Sequence, residues 1–360
     1  MSDGTGIARI TSLALRMAGR SRWGRTMHLA VLVLTQVSAH SQDVHFSQFH
    51  LAPLTLNPAQ AGAINDDHRF TANYRDQWSS LGSPFVTFAA SYDVPLLRGR
   101  MNGRYLGVGV NAFRDKAGKS EFGDTEAGLS LAYGLKLSEL HQLAFGIQAS
   151  YGQRSAMLSA LRWDSQYAGS FFDASLPSGE SAFNERTIFL DLGAGILWRG
   201  ILAHRDMSLG VAVFHPHEPT VSLLGSGSDR LLRRYTVHGD VELPGERWVL
   251  RPKFYASKQG GAFELVLGAM AERQLGTDSR FTKESTASSF HLGLFYRWKD
   301  AVIPTLQFDL RRMLTIGVSY DVNISRLRDR SLYQGGWEIA LMYHGAFSDR
   351  RKKLKSGQAK

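Results

Sequence analysis

Segments of about ten residues recur along this chain in which every second side chain is aliphatic or aromatic. Between them stand small or polar residues. In 127–137, AGLSLAYGLKL, one face is Ala127, Leu129, Leu131, Tyr133, Leu135 and Leu137, and the other is Gly128, Ser130, Ala132, Gly134 and Lys136. The same split divides 143–152, 188–198 and 314–321. A period of two belongs to strands, whose side chains point alternately to opposite faces. No stretch after residue 41 has the roughly 18 apolar residues of a membrane-crossing helix. The pattern predicts fourteen strands, over 68–78, 85–94, 104–114, 124–137, 141–153, 185–198, 206–215, 231–242, 246–256, 262–274, 287–299, 302–311, 313–322 and 336–347.

A soluble sandwich alternates too, with its apolar face inward. Two features favour a barrel in lipid. The polar faces are rich in Gly and Ser rather than Lys and Glu, as suits an enclosed polar lumen. Tryptophans stand near segment ends, at Trp78, Trp198, Trp248, Trp298 and Trp337, where a barrel places its interfacial girdles. A closed barrel is the β structure that satisfies every backbone group in hydrocarbon. The expected fold is therefore all-β, a transmembrane antiparallel β-barrel of about fourteen strands over 67–347, preceded by a non-barrel segment. With both barrel ends in the periplasm, the long links 154–184 and 216–230 face outside. The link 275–286 breaks that parity, being long yet nominally periplasmic.

The two ends of the chain hold most of its charge. Residues 1–41 carry five Arg before the apolar run LAVLVLTQV at 29–37, and small residues follow. This is the pattern of a secretory signal peptide, too short for an anchor. Met17 is an alternative start. Cleavage is expected after Ser41, with Ala39 as the other choice. The tail 348–360 holds six Lys/Arg and one Asp. The remainder carries 31 Lys/Arg against 30 Asp/Glu, so the net charge of +10 does not point to nucleic acid. The tail suits anionic lipid or an acidic partner, or a solvated end. There is no cysteine, so an exported chain must be held by packing and hydrogen bonds.

The segment 42–66 does not fit the strand pattern. Phe46, Phe49, Leu51, Leu54 and Leu56 need burial, while Pro53 and Pro58 exclude a regular strand. It is expected to lie in or under the barrel as a periplasmic gasket or plug. Asn57 before Pro58 would set a turn and satisfy backbone groups there, and Gly62 would permit close passage. Signals for chemistry are thin. His215-Pro216-His217-Glu218 offers ligand types for zinc without a defined face, and reads as a solvated polar loop. Ser91, His238, Asp240 and His291 could supply a triad only if adjacent in space. No enzyme activity, cofactor or metal is expected.

Residues 42–62, with QDVHFSQFH (Phe46, Ser47, Gln48) and LNPAQAG (Asn57, Pro58, Gly62), resemble the N-terminal signature of the PorP/SprF family of type IX secretion outer-membrane proteins. Tyr74-Arg75-Asp76-Gln77-Trp78 is similar to that family's Tyr-Arg-x-Gln-Trp. So are Ser91-Tyr92-Asp93, the LGVGVNAFRDKAG stretch with Asp115, Ala117 and Gly118, Tyr296-Arg297 with Asp300-Ala301, and Ser319-Tyr320-Asp321. With Pro53, these are the candidate structural and motif residues. The long leader and basic tail depart from the pattern. The resemblance implies an outer-membrane barrel supporting secretion or surface attachment of particular cargo, such as a large adhesin of gliding motility. Its implied partners are outer-membrane lipid, the cargo or its C-terminal domain, and periplasmic components of the system. The other reading is a porin or solute channel.

Overall fold

The computed structural model describes residues 43–79, 84–98, 100–169, 171–179, 184–224, 227, 229–275, 288–325 and 333–347. The expected leader, the 275–286 link beyond Leu275 and the tail lie outside them. Fourteen strands form one closed antiparallel barrel. They are β1 (His68–Gln77), β2 (Phe85–Leu96), β3 (Tyr105–Ala117), β4 (Gly123–Lys136), β5 (His141–Ser155), β6 (Arg186–Leu202) and β7 (Arg205–Phe214). The second half is β8 (Arg234–Val241), β9 (Val249–Gln259), β10 (Ala262–Leu275), β11 (Ser288–Arg297), β12 (Ala301–Leu310), β13 (Leu314–Asn323) and β14 (Gln334–Gly345). Neighbours in sequence pair throughout. The ring closes where β1 meets β14, in a register from His68↔Gly345 to Gln77↔Gly336. Between the expected strands 231–242 and 246–256, Leu243–Pro244 pairs with Val249 and Leu250 and extends the β8–β9 hairpin.

Burial separates membrane barrel from soluble sandwich. Here the polar face is the covered one: Thr71, Asn73, Ser91, Ser130, Gln148, Ser150 and Ser319 are buried. The large apolar side chains point away from the protein, with Leu190 68% and Ile147 62% exposed. An apolar belt encircling the molecule has no counterpart on soluble monomers, whose exposed patches stay within a few hundred Å². It is the surface of a protein solvated by lipid. Near one end of the belt, Trp198 stacks on His141 and Trp248 meets Phe290 edge-on. Near the other, Tyr74 packs on Trp337 and Tyr296 on Trp298.

The end at which β1 starts and β14 finishes is called the near end, and the opposite one the far end. The longest links, 156–185 and 215–233, are at the far end, where the first carries a small hairpin of Tyr167–Ala168 with Phe171–Phe172. At the near end β6 and β7 are joined through residues 203–204, and β12 and β13 through 311–313. The two longest links thus share one side, as on the external face of a bacterial barrel, while the twelve-residue β10–β11 link stands at the near end and keeps the break in parity expected there.

Candidate functional site

The segment before β1 runs down the inside of the barrel. Asp43 sits among far-end residues and Ala63 among near-end ones, and β1 then begins at the near rim. Its irregular backbone follows from its prolines. Each has φ fixed for the first position of a helical turn and no N–H to lose. Pro53 opens the single helical turn Pro53–Leu56, and Pro58 opens the 3-10 turn Pro58–Gln60. Gly62 follows with φ +67°, and a Cβ there would lie 2.8 Å from the Gly107 Cα, so neither backbone nor space admits a side chain. The apolar residues of this luminal strap find apolar patches on the wall. Phe49 stacks on Tyr255 at 5.5 Å and meets Phe295 edge-on. Leu56 joins the same cluster with Val266, Met270, Ala301 and Ile303. Phe46 packs with Ala52 and Ala89, and Leu54 with Ala61 and Ala132.

Four polar anchors fix the strap along its length. At the far mouth, the Asp43 N–H donates to Gln259 Oε1 at 2.8 Å, and its carboxylate lies 2.5 Å from His215 Nε2 and 3.3 Å from Arg234 Nε. His215 Nδ1 is 2.9 Å from Asp191. Burial alone would depress the His215 pKa, but the two carboxylates outweigh it and raise it to about 10. The same contacts hold the Asp43 carboxyl well below the usual range, against a burial effect that pushes it up.

The second anchor is a buried ion cluster. Ser47 Oγ donates to Asp321 Oδ1 at 2.7 Å, while Arg75 and Arg297 each donate to Asp321 Oδ2 at 2.8 Å. Arg297 also reaches Ser47 Oγ at 2.7 Å, Asp300 at 3.0 Å and Glu264 at 3.1 Å. The Ser47 and Gln48 N–H groups both donate to Glu338, at 2.7 and 3.0 Å. Buried charges are tolerated when paired and hydrogen-bonded, and this cluster does both through the strap's own backbone.

The third anchor is Asn57. Its Oδ1 accepts from the Ala59 N–H at 2.9 Å, closing the turn, and its Nδ2 donates to Ile196 O on β6 at 3.0 Å and Val211 O on β7 at 3.3 Å. The fourth holds the exit. Gly62 N–H donates to Asp93 Oδ2 at 2.7 Å, and Arg69 bridges Asp93 at 2.9 Å to Gln60 O at 2.9 Å. Arg98 caps the carbonyls of Gly62, Ile64, Asn65 and Asp66, and Arg199 that of Ala63. Below the strap a cavity of about 950 Å³ opens between it and β4–β9, lined by Phe49, His50, Leu197, Arg199, His238 and Lys253 among others.

The structure brings together Ser47, Gln48, Arg75, Asp300 and Asp321 in one cluster, and Gly62 with Asp93 in another. Other motif residues do not converge. Tyr74, Tyr92 and Tyr320 have outward parity, with Tyr74 against Trp337. Gln77 ends β1, and Trp78 follows it with φ +60° and packs on Phe85. Asp115 accepts from Thr87, and Gly118 turns the β3–β4 link with φ +64°. The loop at 215–218 corrects the expectation of a solvated segment. His215 is buried because Asp43 and Asp191 face it across the far mouth, while His217 reaches Leu190 O and Glu218 pairs with Arg233. Among the described residues no three His, Cys, Asp or Glu gather as a metal site. Ser91 bonds Thr71, His238 bonds Asn57, and Asp240 bonds Ser208. His291 meets Ser289 and Asp309 through the same nitrogen, Nε2, whereas a catalytic relay uses opposite ring nitrogens.

Arg69, Glu264, Glu338, Asp191 and Arg234 escaped the sequence reading. Each is a charge at an inward position of an apolar-out strand, which is the signal that marks them.

The model of a protein family described as type IX secretion system membrane protein PorP/SprF matches residues 38–343. The chain belongs to the PorP/SprF family. As a PorP/SprF protein it is a membrane component of the type IX secretion system with a β-barrel fold. No curated protein matches the sequence. Among solved structures, the CymD monoaromatic hydrocarbon channel is 12% identical, with a TM-score of 0.46 over 82% of this chain and 93% of that one. The Pseudomonas putida toluene transporter TodX is 11% identical, with 0.42 over 84% and 94%. BamA from Haemophilus ducreyi is 11% identical, with 0.39 over 77% and 70%.

Proposed function

We propose that this PorP/SprF barrel supports secretion or surface attachment of a specific cargo, of the large-adhesin kind, and is not itself the conduit. The observation that supports this reading is the strap. It occupies the lumen from far mouth to near rim, and its four anchors draw on charged or amide groups from β1, β2, β6, β8, β9, β10, β11, β13 and β14. A solute channel keeps its lumen polar and passable. Here two arginines, four carboxylates and the strap backbone bind one another inside it. A barrel crossed by the strap in this way offers its external loops and its near-end mouth, with the cavity below the strap, as the surfaces for partners, cargo outside and periplasmic components of the system below. No step of this role calls for catalysis, and we assign none.

The test is affinity capture of the tagged protein from native outer membranes in mild detergent, with folding checked by heat-modifiable gel migration. The expected result is a large secreted protein or type IX components in the eluate, and silence in planar bilayers. A folded barrel that comes out alone and conducts would support the porin reading instead.

A further inference from the structure

The wall that seats Asn57 is one residue thick, and it is hollow on the other side. On the luminal face the strap presses directly onto strand backbone. A Cβ at Gly146 would lie 2.3 Å from the Ala59 nitrogen, and one at Gly195 would lie 2.0 Å from Asn57 Oδ1. On the outer face of these same glycines a cavity of about 750 Å³ opens across β3–β8. Gly146, Gly195, Ala132 and Ala212 are among its lining residues, although their side-chain positions point inward. Its sides are outward residues such as Leu131, Phe145, Ile147, Ile196, Val211 and Tyr235, all exposed on the lipid belt. Ala194 stands between Ile147 on β5 and Val213 on β7, and is the small outward residue that leaves the centre empty.

We infer that this groove holds a resident phospholipid acyl chain, retained when the surrounding annular lipid exchanges. Three observations carry the inference. The groove lies within the apolar belt, so its occupant in the membrane is hydrocarbon. No charged side chain lines it, which excludes a headgroup or a polar peptide. Concavity lets a chain touch wall on several sides, so its dispersion contacts exceed those on a convex barrel surface. An empty apolar hollow forfeits those contacts outright. The groove floor is also the roof of the Asn57 seat. A chain in the groove therefore backs the wall against which the strap's turn is pressed.

The experiment uses the full-length protein purified in mild detergent and reconstituted in nanodiscs of phosphatidylethanolamine and phosphatidylglycerol. Retained lipid is then counted by native mass spectrometry after release. The expected result is about one phospholipid per barrel held through release. In Ala194→Trp, which fills the groove, retention falls about tenfold. Val318→Trp, on the outward face of β13 opposite, leaves it at the wild-type level. Heat-modifiable migration confirms that both variants are folded. Equal retention in wild type and Ala194→Trp, or none in either, overturns the inference. Should Ala194→Trp fail to fold, Ile147→Trp and Val211→Trp fill the same hollow from its two sides and give the same reading.

Discussion

Gly195 and Asn57 are in such close apposition that the strand residue can be nothing but glycine. A Cβ at Gly195 would stand 2.0 Å from Asn57 Oδ1. Asn57 cannot retreat, because its other side-chain atom is tied to carbonyls of β6 and β7. Gly195→Val is therefore expected to dislodge the turn at 57–59 while the outward face of β6 stays as it is. Overpacking of this kind costs about 1–3 kcal/mol. The native chain has no cysteine, so a single Thr55→Cys reports strap position cleanly. Its maleimide labelling should be faster in Gly195→Val than in the parent. Equal rates would mean the wall, not the strap, absorbs the side chain.

Asp321 neutralises two guanidinium groups at once, each at 2.8 Å. Asp321→Asn keeps the shape and removes the charge, leaving Arg75 to Glu338 and Arg297 to Glu264 and Asp300. Breaking a buried pair from one side costs about 3–5 kcal/mol. The temperature of heat-modifiable unfolding should drop sharply in Asp321→Asn. The double variant Arg75→Gln/Asp321→Asn should recover part of the loss, the coupling that a double-mutant cycle measures.

The far anchor gives a pH signature. His215 has a pKa of about 10 when Asp43 and Asp191 face it, against about 6.5 in an unfolded chain. Its contribution is therefore complete below pH ~6.5 and is lost as the pH rises through the folded value. Asp43 has the opposite sign: its lowered pKa stabilises above its unfolded value and is lost in acid. Protection of the strap's N-terminal end from protease should be flat between pH 5 and ~6.5 and decline toward pH ~10. His215→Gln should remove most of that alkaline decline. A slope unchanged by the substitution would assign it elsewhere.

The outer belt is tested at Ile147, which is 62% exposed and lies mid-strand on β5. Ile147→Arg places a charge in hydrocarbon and should cost about 2–4 kcal/mol, read as lower folded yield in vesicles. Gln148→Arg, one residue away on the luminal side, should cost assembly far less than the lipid-face change. If the two behave alike, the faces have been assigned the wrong way round.

Strands were legible in the sequence because period-two alternation is local: Leu129, Leu131 and Tyr133 declare their face without help from any other segment. The proline turns of the strap were legible for the same reason. The anchors were not. Ser47 meets Glu338 across 291 residues, and that meeting depends on the stagger of every strand between and on the strap's course through the lumen. Motif quotation found Ser47, Arg75 and Asp321 as separate pieces, without showing that one carboxylate joins them. His215 was misread because a His-Pro-His-Glu run looks solvated unless Asp43 is known to lie opposite.

The strap is joined to the barrel wall at the near rim, while Asp43 stands at the far mouth. It is thus a cord fastened at the bottom of its own tube. Drawn downward, it must unhook Asp43 first, then Ser47, and drag the Asn57 bend off its glycine seat. Pushed upward, it meets the tether at β1. The tube is unequal in its two directions, and force applied from the near side is the kind that could unthread it.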